Sequence, residues 1–126
     1  MRESSYYGAI GKYYLKHATT NVAWEAKITK TNRLPFKCLM AHQEEKLLEA
    51  ERALAEKIDD VGRRKKPFDG FVLVKAESYV IAIYYKPRET QVFQIPIRNF
   101  LHQKYTSGEK SLSLEMARAI GTKITL

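Results

Sequence analysis

Cysteine is nearly absent from this sequence, in which Cys38 is the only one. A single cysteine excludes an intramolecular disulfide and supplies no thiolate cluster for a metal ion. The three histidines, His17, His42 and His102, are scattered and lack the short spacings of a zinc site. We therefore expect neither a disulfide-stabilised fold nor a zinc protein.

Acidic residues and long apolar runs are also scarce. The chain has 14 Asp and Glu against 22 Lys and Arg, a formal charge of +8. Such an excess favours a polyanionic partner, above all nucleic acid. No apolar run approaches the roughly 20 residues that span a bilayer, and the first five residues lack the apolar core of a signal peptide. We expect a soluble protein located in the cytoplasm.

The length and the apolar pattern favour one α/β domain over residues 1–126. Periodicity predicts the order α, β, α, β, β, β, α, a mixed central sheet flanked by helices. The first helix should pack closely through Gly8 and Gly11, and the last should begin after the N-cap Ser113 and stop at Gly121. The other elements are predicted as helices at 6–16, 36–58 and 97–103, and strands at 21–30, 71–74, 79–85 and 91–95, with a hairpin turn at 75–78.

The strand at 21–30 separates its side chains by face. Val22, Trp24, Ala26 and Ile28 fall on one side, and Ala23, Glu25, Lys27 and Thr29 on the other. Side chains two positions apart stand about 6 to 7 Å from each other, so Glu25 and Lys27 can both reach one phosphate and its metal ion. Glu-x-Lys is therefore half of a phosphodiesterase site. The alternative is a charged strand face that serves only solubility.

Gln43 falls inside the apolar stripe of the helix at 36–58, which runs through Phe36, Met40 and Leu47. A polar side chain there needs a partner, and the strand that carries Glu25 offers one. The alternative places its amide in solvent. The helix also carries a set of acids that we expect on its solvated outer face: Glu44, Glu45, Glu49, Glu51 and Glu56.

Cations are concentrated in two predicted loops. Lys30 and Arg33 follow the first strand, and Arg63, Arg64, Lys65 and Lys66 stand between a Gly and a Pro. Both loops suit backbone phosphates, although a solvated charge run is the alternative for the second. Asp69 comes next, between two phenylalanines at the start of a strand. It is either a functional carboxylate or part of an Asp69-Gly70 turn.

Taken in order, these pieces resemble the PD-(D/E)xK nuclease superfamily, and within it the Holliday-junction resolvase-like proteins of phages and bacterial mobile elements. The resemblance covers about the last hundred residues. It is carried by Trp24-Glu25-Ala26-Lys27, Arg33-Leu34-Pro35-Phe36, His42-Gln43, Lys66-Pro67-Phe68-Asp69-Gly70-Phe71, Tyr79-Val80-Ile81, Lys110-Ser111-Leu112 and Ala117-Arg118-Ala119-Ile120-Gly121.

The resemblance implies a restriction-endonuclease-like fold in which Glu25 binds Mg²⁺ or Mn²⁺, Lys27 assists hydrolysis and Gln43 steadies the site. It also implies an aspartate ligand before Glu-x-Lys, but no Asp precedes Glu25, and the candidates are Asp59, Asp60 and Asp69. We favour Asp69, as a permuted ligand. The only acid before Glu25 is Glu3, so any ligand from that segment would have to be Glu3.

The expected function is Mg²⁺-dependent cleavage of branched DNA, such as four-way junctions, by a homodimer. In this reading Glu25 and Asp69 hold the metal, and Lys30, Arg33 and residues 63–66 hold phosphates. A non-catalytic nucleic-acid-binding or inhibitor protein on a decayed nuclease fold is the alternative. An RNA-processing nuclease is a third possibility.

Overall fold

The computed structural model describes residues 2–52 and 76–126. Several predicted features lie outside these residues: the end of the second helix at 53–58, the basic loop at 63–66, the strand at 71–74, and Asp59, Asp60 and Asp69. No helix in the described part of the chain is long and apolar enough to cross a membrane.

The described residues form four α-helices and six strands. The helices are α1 (Tyr7–His17), α2 (Ala41–Arg52), α3 (Ile97–Thr106) and α4 (Leu114–Ile120), with short 3-10 helices at Glu3–Tyr6 and Phe36–Cys38. The strands are β1 (Asn21–Thr29), β2 (Arg33–Pro35), β3 (Ala76–Tyr84), β4 (Gln91–Pro96), β5 (Ser111–Ser113) and β6 (Thr122–Ile124).

The central sheet has the strand order β1-β3-β4-β6. β1 and β3 run parallel, whereas β3 with β4 and β4 with β6 run antiparallel. β2 and β5 form a separate antiparallel pair. The prediction of an α/β fold with a mixed sheet and flanking helices is confirmed.

Both faces of the central sheet are covered. One face packs under α1 through Ile10, Ala26, Ile81, Ile83, Val92 and Ile124. The other packs against α2, α3, α4 and the small sheet through residues that include Leu47, Val80, Ala82, Phe93, Ile95, Phe100 and Ala117. Because β3 lies between two layers, Val80 to Tyr84 are all buried.

The predicted division of β1 between two faces is confirmed. Trp24, Ala26 and Ile28 pack in the α1 layer, and Ala23 packs on the opposite side. The period of two therefore turns Glu25 and Lys27 toward the α2 layer. These two charged residues face a layer of the protein interior.

The second helix begins later than predicted. Leu34 pairs with Leu112 between β2 and β5, and the backbone N–H of Phe36 donates to the carbonyl of Lys110. This segment therefore satisfies its backbone groups in the small sheet, and α2 starts only at Ala41. Met40 precedes the helix and is exposed instead of belonging to the apolar stripe.

The hairpin turn predicted at 75–78 is wrong for its described residues. Ala76 to Ser78 belong to β3, where they pair in parallel with Asn21 to Ala23. Ser78 is buried, and its hydroxyl donates to the backbone carbonyl of Leu47 at 2.6 Å. Ala76 to Ser78 therefore find in β1 and α2 the hydrogen-bond partners that an exposed turn would find in water.

Two glycine predictions have opposite outcomes. A methyl group added at Gly8 or Gly11 would meet nothing within 4 Å, so the prediction that they permit close packing is wrong. Gly121 ends α4 as predicted, and a Cβ there would lie 2.7 Å from the backbone oxygen of Gln94. Ser113 is the expected N-cap, since its hydroxyl accepts from the Met116 N–H at 3.1 Å.

Candidate active site

Glu25 and Lys27 lie next to each other on the face of β1 that looks toward α2. Lys27 Nζ is 3.9 Å from Glu25 Oε1, and the Lys27 side chain is only 11% exposed, against 32% for Glu25. A lysine this buried is uncommon unless its charge has a partner or a task. The partly exposed carboxylate beside it can be reached from solvent.

Gln43 holds the carboxylate in place from α2. Its Nε2 donates a hydrogen bond to Glu25 Oε1 at 3.0 Å, and its Oε1 accepts one from the backbone N–H of Met40 at 3.0 Å. The predicted contact between Gln43 and the strand is therefore confirmed. Both recorded contacts of Glu25 fall on Oε1, and no described residue donates a hydrogen bond to Oε2.

The N-terminal segment packs on the strand that carries Glu25 and Lys27. The 3-10 helix that contains Glu3 packs against β1, and the rings of Tyr7 and Trp24 meet edge to face with centroids 5.7 Å apart. Burial raises the pKa of Tyr7, and the negative charges of Glu3 and Glu25 raise it further. The charges of Glu3 and Glu25 therefore act on the same hydroxyl group, that of Tyr7.

Cys38 ends the 3-10 helix that precedes α2, within range of the Lys27 charge. Burial raises the pKa of its thiol to about 11, while the charge of Lys27 lowers this pKa and the charge of Glu3 raises it. A thiol with such a high pKa is protonated at neutral pH and is a poor nucleophile. Cys38 is thus a packed neighbour of the site.

The turn after β1 presents the cations of the first predicted loop. Thr29 and Thr31 both donate their hydroxyls to the Arg33 carbonyl at 2.9 Å, which fixes the turn. Lys30 and Arg33 are exposed on it. The four cations at 63–66 lie outside the described residues.

The described residues contain only part of a metal site. Within residues 2–52 and 76–126, no group of three or more His, Cys, Asp and Glu side chains could hold an ion. Glu25 offers a carboxylate oxygen of the kind that Mg²⁺ prefers, and Gln43 has its oxygen engaged by Met40. A complete donor set therefore requires a further acid, and the aspartates predicted to supply it lie outside the described residues.

No family model, curated protein or solved structure matches this chain. What the site can do must consequently be argued from its own groups. An accessible carboxylate held beside a mostly buried ammonium suits chemistry on a negatively charged substrate that also carries a cation.

One cluster near the site was missed by the sequence analysis. Glu44, predicted on the solvated face, is 8% exposed and forms an ion pair with Lys104. Its Oε1 accepts from the Tyr105 hydroxyl at 2.8 Å, and Lys104 also donates to the Leu39 carbonyl at 3.1 Å. Gln43, Glu44 and Leu47 have the spacing of one helix face, which could have indicated that Glu44 faces inward with Leu47.

Proposed function

We propose that the protein is a Mg²⁺-dependent DNA endonuclease with a restriction-endonuclease-like site built on β1. The observation that carries the proposal is the arrangement of Glu25: Gln43 fixes Oε1, the carboxylate is accessible, and the mostly buried Lys27 lies 3.9 Å away. A charged pair held in this way from a second element is more than a solubilising strand face requires.

Each described residue has a distinct role in this proposal. Glu25 is the carboxylate that would hold the ion, and Gln43 orients it. Lys27 positions the attacking water or stabilises the negative charge that develops on the phosphate. When bound, Mg²⁺ supplies positive charge beside the phosphate that is cut.

The second carboxylate is proposed to be Asp69, with Asp59 and Asp60 as its alternatives. Glu3 is a further candidate, because its charge acts on Tyr7, as that of Glu25 does, and on Cys38, as that of Lys27 does. Each of these acids can be tested with an isosteric amide, which keeps the shape and removes the charge.

Branched DNA, such as a four-way junction, is the proposed substrate, and the active form is proposed to be a homodimer. The net charge of +8 and the exposed Lys30 and Arg33 support contact with backbone phosphates. The loop of Arg63, Arg64, Lys65 and Lys66 is proposed to add to this surface. Phosphate contacts fix position without reading sequence, as recognition by shape requires. A two-fold dimer is the simplest way to cut two symmetric strands.

The test is cleavage of a labelled synthetic four-way junction in Mg²⁺, with linear duplex and RNA of the same sequence as comparisons. Wild type should cut the junction preferentially. Asp69→Asn should lose activity, whereas Asp59→Asn, Asp60→Asn and Glu3→Gln should retain it. Full activity in Asp69→Asn with loss in one of the other three would move the second ligand to that residue.

A non-catalytic DNA-binding or inhibitor protein is the second candidate. The net charge of +8 and the exposed Lys30 and Arg33 support it equally well, because phosphate binding needs no metal ion. This candidate predicts that wild type binds junctions tightly and cuts none of the three substrates in Mg²⁺ or Mn²⁺.

A further inference from the structure

A groove next to the site is lined by apolar and basic side chains. It has a volume of about 720 Å³ and includes Phe36, Met40 and Tyr105 together with Lys37, Lys104 and Lys110. This volume lies within the roughly 300 to 1,000 Å³ of ligand pockets. We call it the Tyr105 groove.

Tyr105 presents an exposed ring that is held at its hydroxyl. The residue is 66% exposed, yet its OH donates to the buried Glu44. Lys104 Nζ lies over the ring, 5.3 Å from its centroid. A fixed aromatic plane loses little conformational entropy when a flat ligand stacks on it.

The charge of the groove selects an anionic ligand. No acidic side chain is present among the described residues that line it. Glu44 balances Lys104, so the net positive charge comes from Lys37 and Lys110, which are both exposed. Aromatic planes flanked by cations are how proteins bind single-stranded nucleic acid.

Gln43 connects the groove to the candidate site. Its side chain bonds the backbone of Met40, which lines the groove, and the carboxylate of Glu25. The charges of both Lys27 and Lys104 act on the Cys38 thiol and lower its pKa, so one side chain senses both regions. A strand bound at Glu25 therefore has the groove within reach of its adjoining nucleotides.

We propose that the Tyr105 groove binds an unpaired nucleotide of a DNA strand, with the base on Tyr105 and the neighbouring phosphates against Lys37 and Lys110. This inference rests on the proposed function for its choice of DNA, and it specifies the substrate as DNA with an unpaired nucleotide beside the cut. A junction or flap provides such a nucleotide, whereas an intact duplex provides one only after unstacking.

The experiment measures binding of a fluorescein-labelled oligothymidylate by anisotropy in EDTA, so that no cleavage occurs. Tyr105→Ala should weaken binding about tenfold, the loss of one stacked base. Tyr105→Phe keeps the ring while removing the bond to Glu44 that fixes it, so it should bind more weakly than wild type and more tightly than Tyr105→Ala. Lys110→Gln should reduce the salt dependence by about one phosphate contact. Lys123 lies on β6, at the opposite edge of the sheet from β1. Lys123→Gln should therefore leave the salt dependence of binding unchanged.

Inorganic polyphosphate, which carries charge without bases, serves as the competitor. Its affinity should be the same for wild type and Tyr105→Ala. Equal weakening for oligothymidylate and polyphosphate would overturn the proposal, as would oligothymidylate binding that Tyr105→Ala leaves unchanged. The proposal would also be overturned if wild type sediments as a dimer and Tyr105→Ala as a monomer. The groove would then be an interface between two copies of the chain.

The two proposals can fail separately. If wild type cuts no junction but Tyr105→Ala loses oligothymidylate binding, the groove stands and the nuclease proposal falls. If wild type cuts junctions while Tyr105→Ala binds oligothymidylate normally, the nuclease proposal stands and the groove is wrong.

Discussion

Gln43 donates a hydrogen bond to Glu25 across the space between α2 and β1, with Nε2 and Oε1 3.0 Å apart. The same side chain accepts from the Met40 backbone, so both ends of the amide are used. A glutamine fixed at both ends has one orientation, and it gives the Glu25 carboxylate one orientation as well. This second layer of contacts is what a metal-binding carboxylate needs.

Replacing Gln43 should impair function more than folding. Gln43→Met removes both hydrogen bonds at similar volume, and we expect cleavage to fall roughly 10- to 100-fold. Stability should fall by only about 1 kcal/mol. The measurements are single-turnover cleavage and urea unfolding. Gln91→Met is the control, because the Gln91 amide bonds the exposed Arg118. Normal cleavage by Gln43→Met would contradict the proposed role of Gln43.

Replacing Lys27 should separate activity from stability. Lys27→Met removes the ammonium from a mostly buried position, and cleavage should fall about 10²- to 10³-fold. Stability should fall only modestly, because Glu25 loses its nearest cation but stays partly exposed and bonded to Gln43. Lys30→Met, an exposed cation just after β1, should raise KM and leave kcat nearly unchanged. An active Lys27→Met would show that this charge has no catalytic role.

The local patterns predicted the parts of the site that lie within single elements. The alternation along β1 identified the face of Glu25 and Lys27, and the polar position in an apolar stripe identified Gln43 as a residue in need of a partner. Both rest on side-chain direction within one strand or helix.

The features that depend on distant partners were not predicted. β5 and β6 have three residues each, too few for a readable period. By sequence, Ala76 to Ser78 resemble a turn, and only their pairing with β1 makes them part of a strand. Glu44 was assigned to solvent because its partners, Lys104 and Tyr105, follow 60 and 61 residues later. The helical spacing could indicate that Glu44 faces inward, but no local pattern identifies these two partners.

Two glycines should respond in opposite directions to alanine. Gly121→Ala places a methyl group 2.7 Å from both the Gln94 backbone oxygen and Ile95 Cγ1, and we expect a loss of about 1–3 kcal/mol. Gly11→Ala adds a methyl group in open space inside α1 and should stabilise by about 0.5–1 kcal/mol. Urea unfolding of both variants checks this. Equal effects would mean that Gly121 is not sterically required.

The Cys38 thiol should report the burial of its segment. Its pKa of about 11 in the folded state lies above the 9.0 of an ordinary thiol. The raised value gives stability that is complete below pH 9 and is lost as the pH rises toward 11. Alkylation by iodoacetamide at pH 8 should be about a hundredfold slower in folded than in unfolded protein. Mass spectrometry measures both rates, and a folded rate that levels off near pH 9 would contradict this prediction.

The central claim is that Glu25 holds a catalytic metal ion beside Lys27. The most direct measurement is single-turnover cleavage of a four-way junction by wild type and Glu25→Gln, each at equal junction occupancy, across a Mg²⁺ titration. Glu25→Gln keeps an oxygen toward Gln43 but loses the negative charge. If Glu25 holds the ion, wild type should show Mg²⁺-dependent cleavage, and the variant should lose at least about a hundredfold of it. Cleavage by Glu25→Gln at the wild-type rate, or none by wild type at any Mg²⁺ concentration, would contradict it.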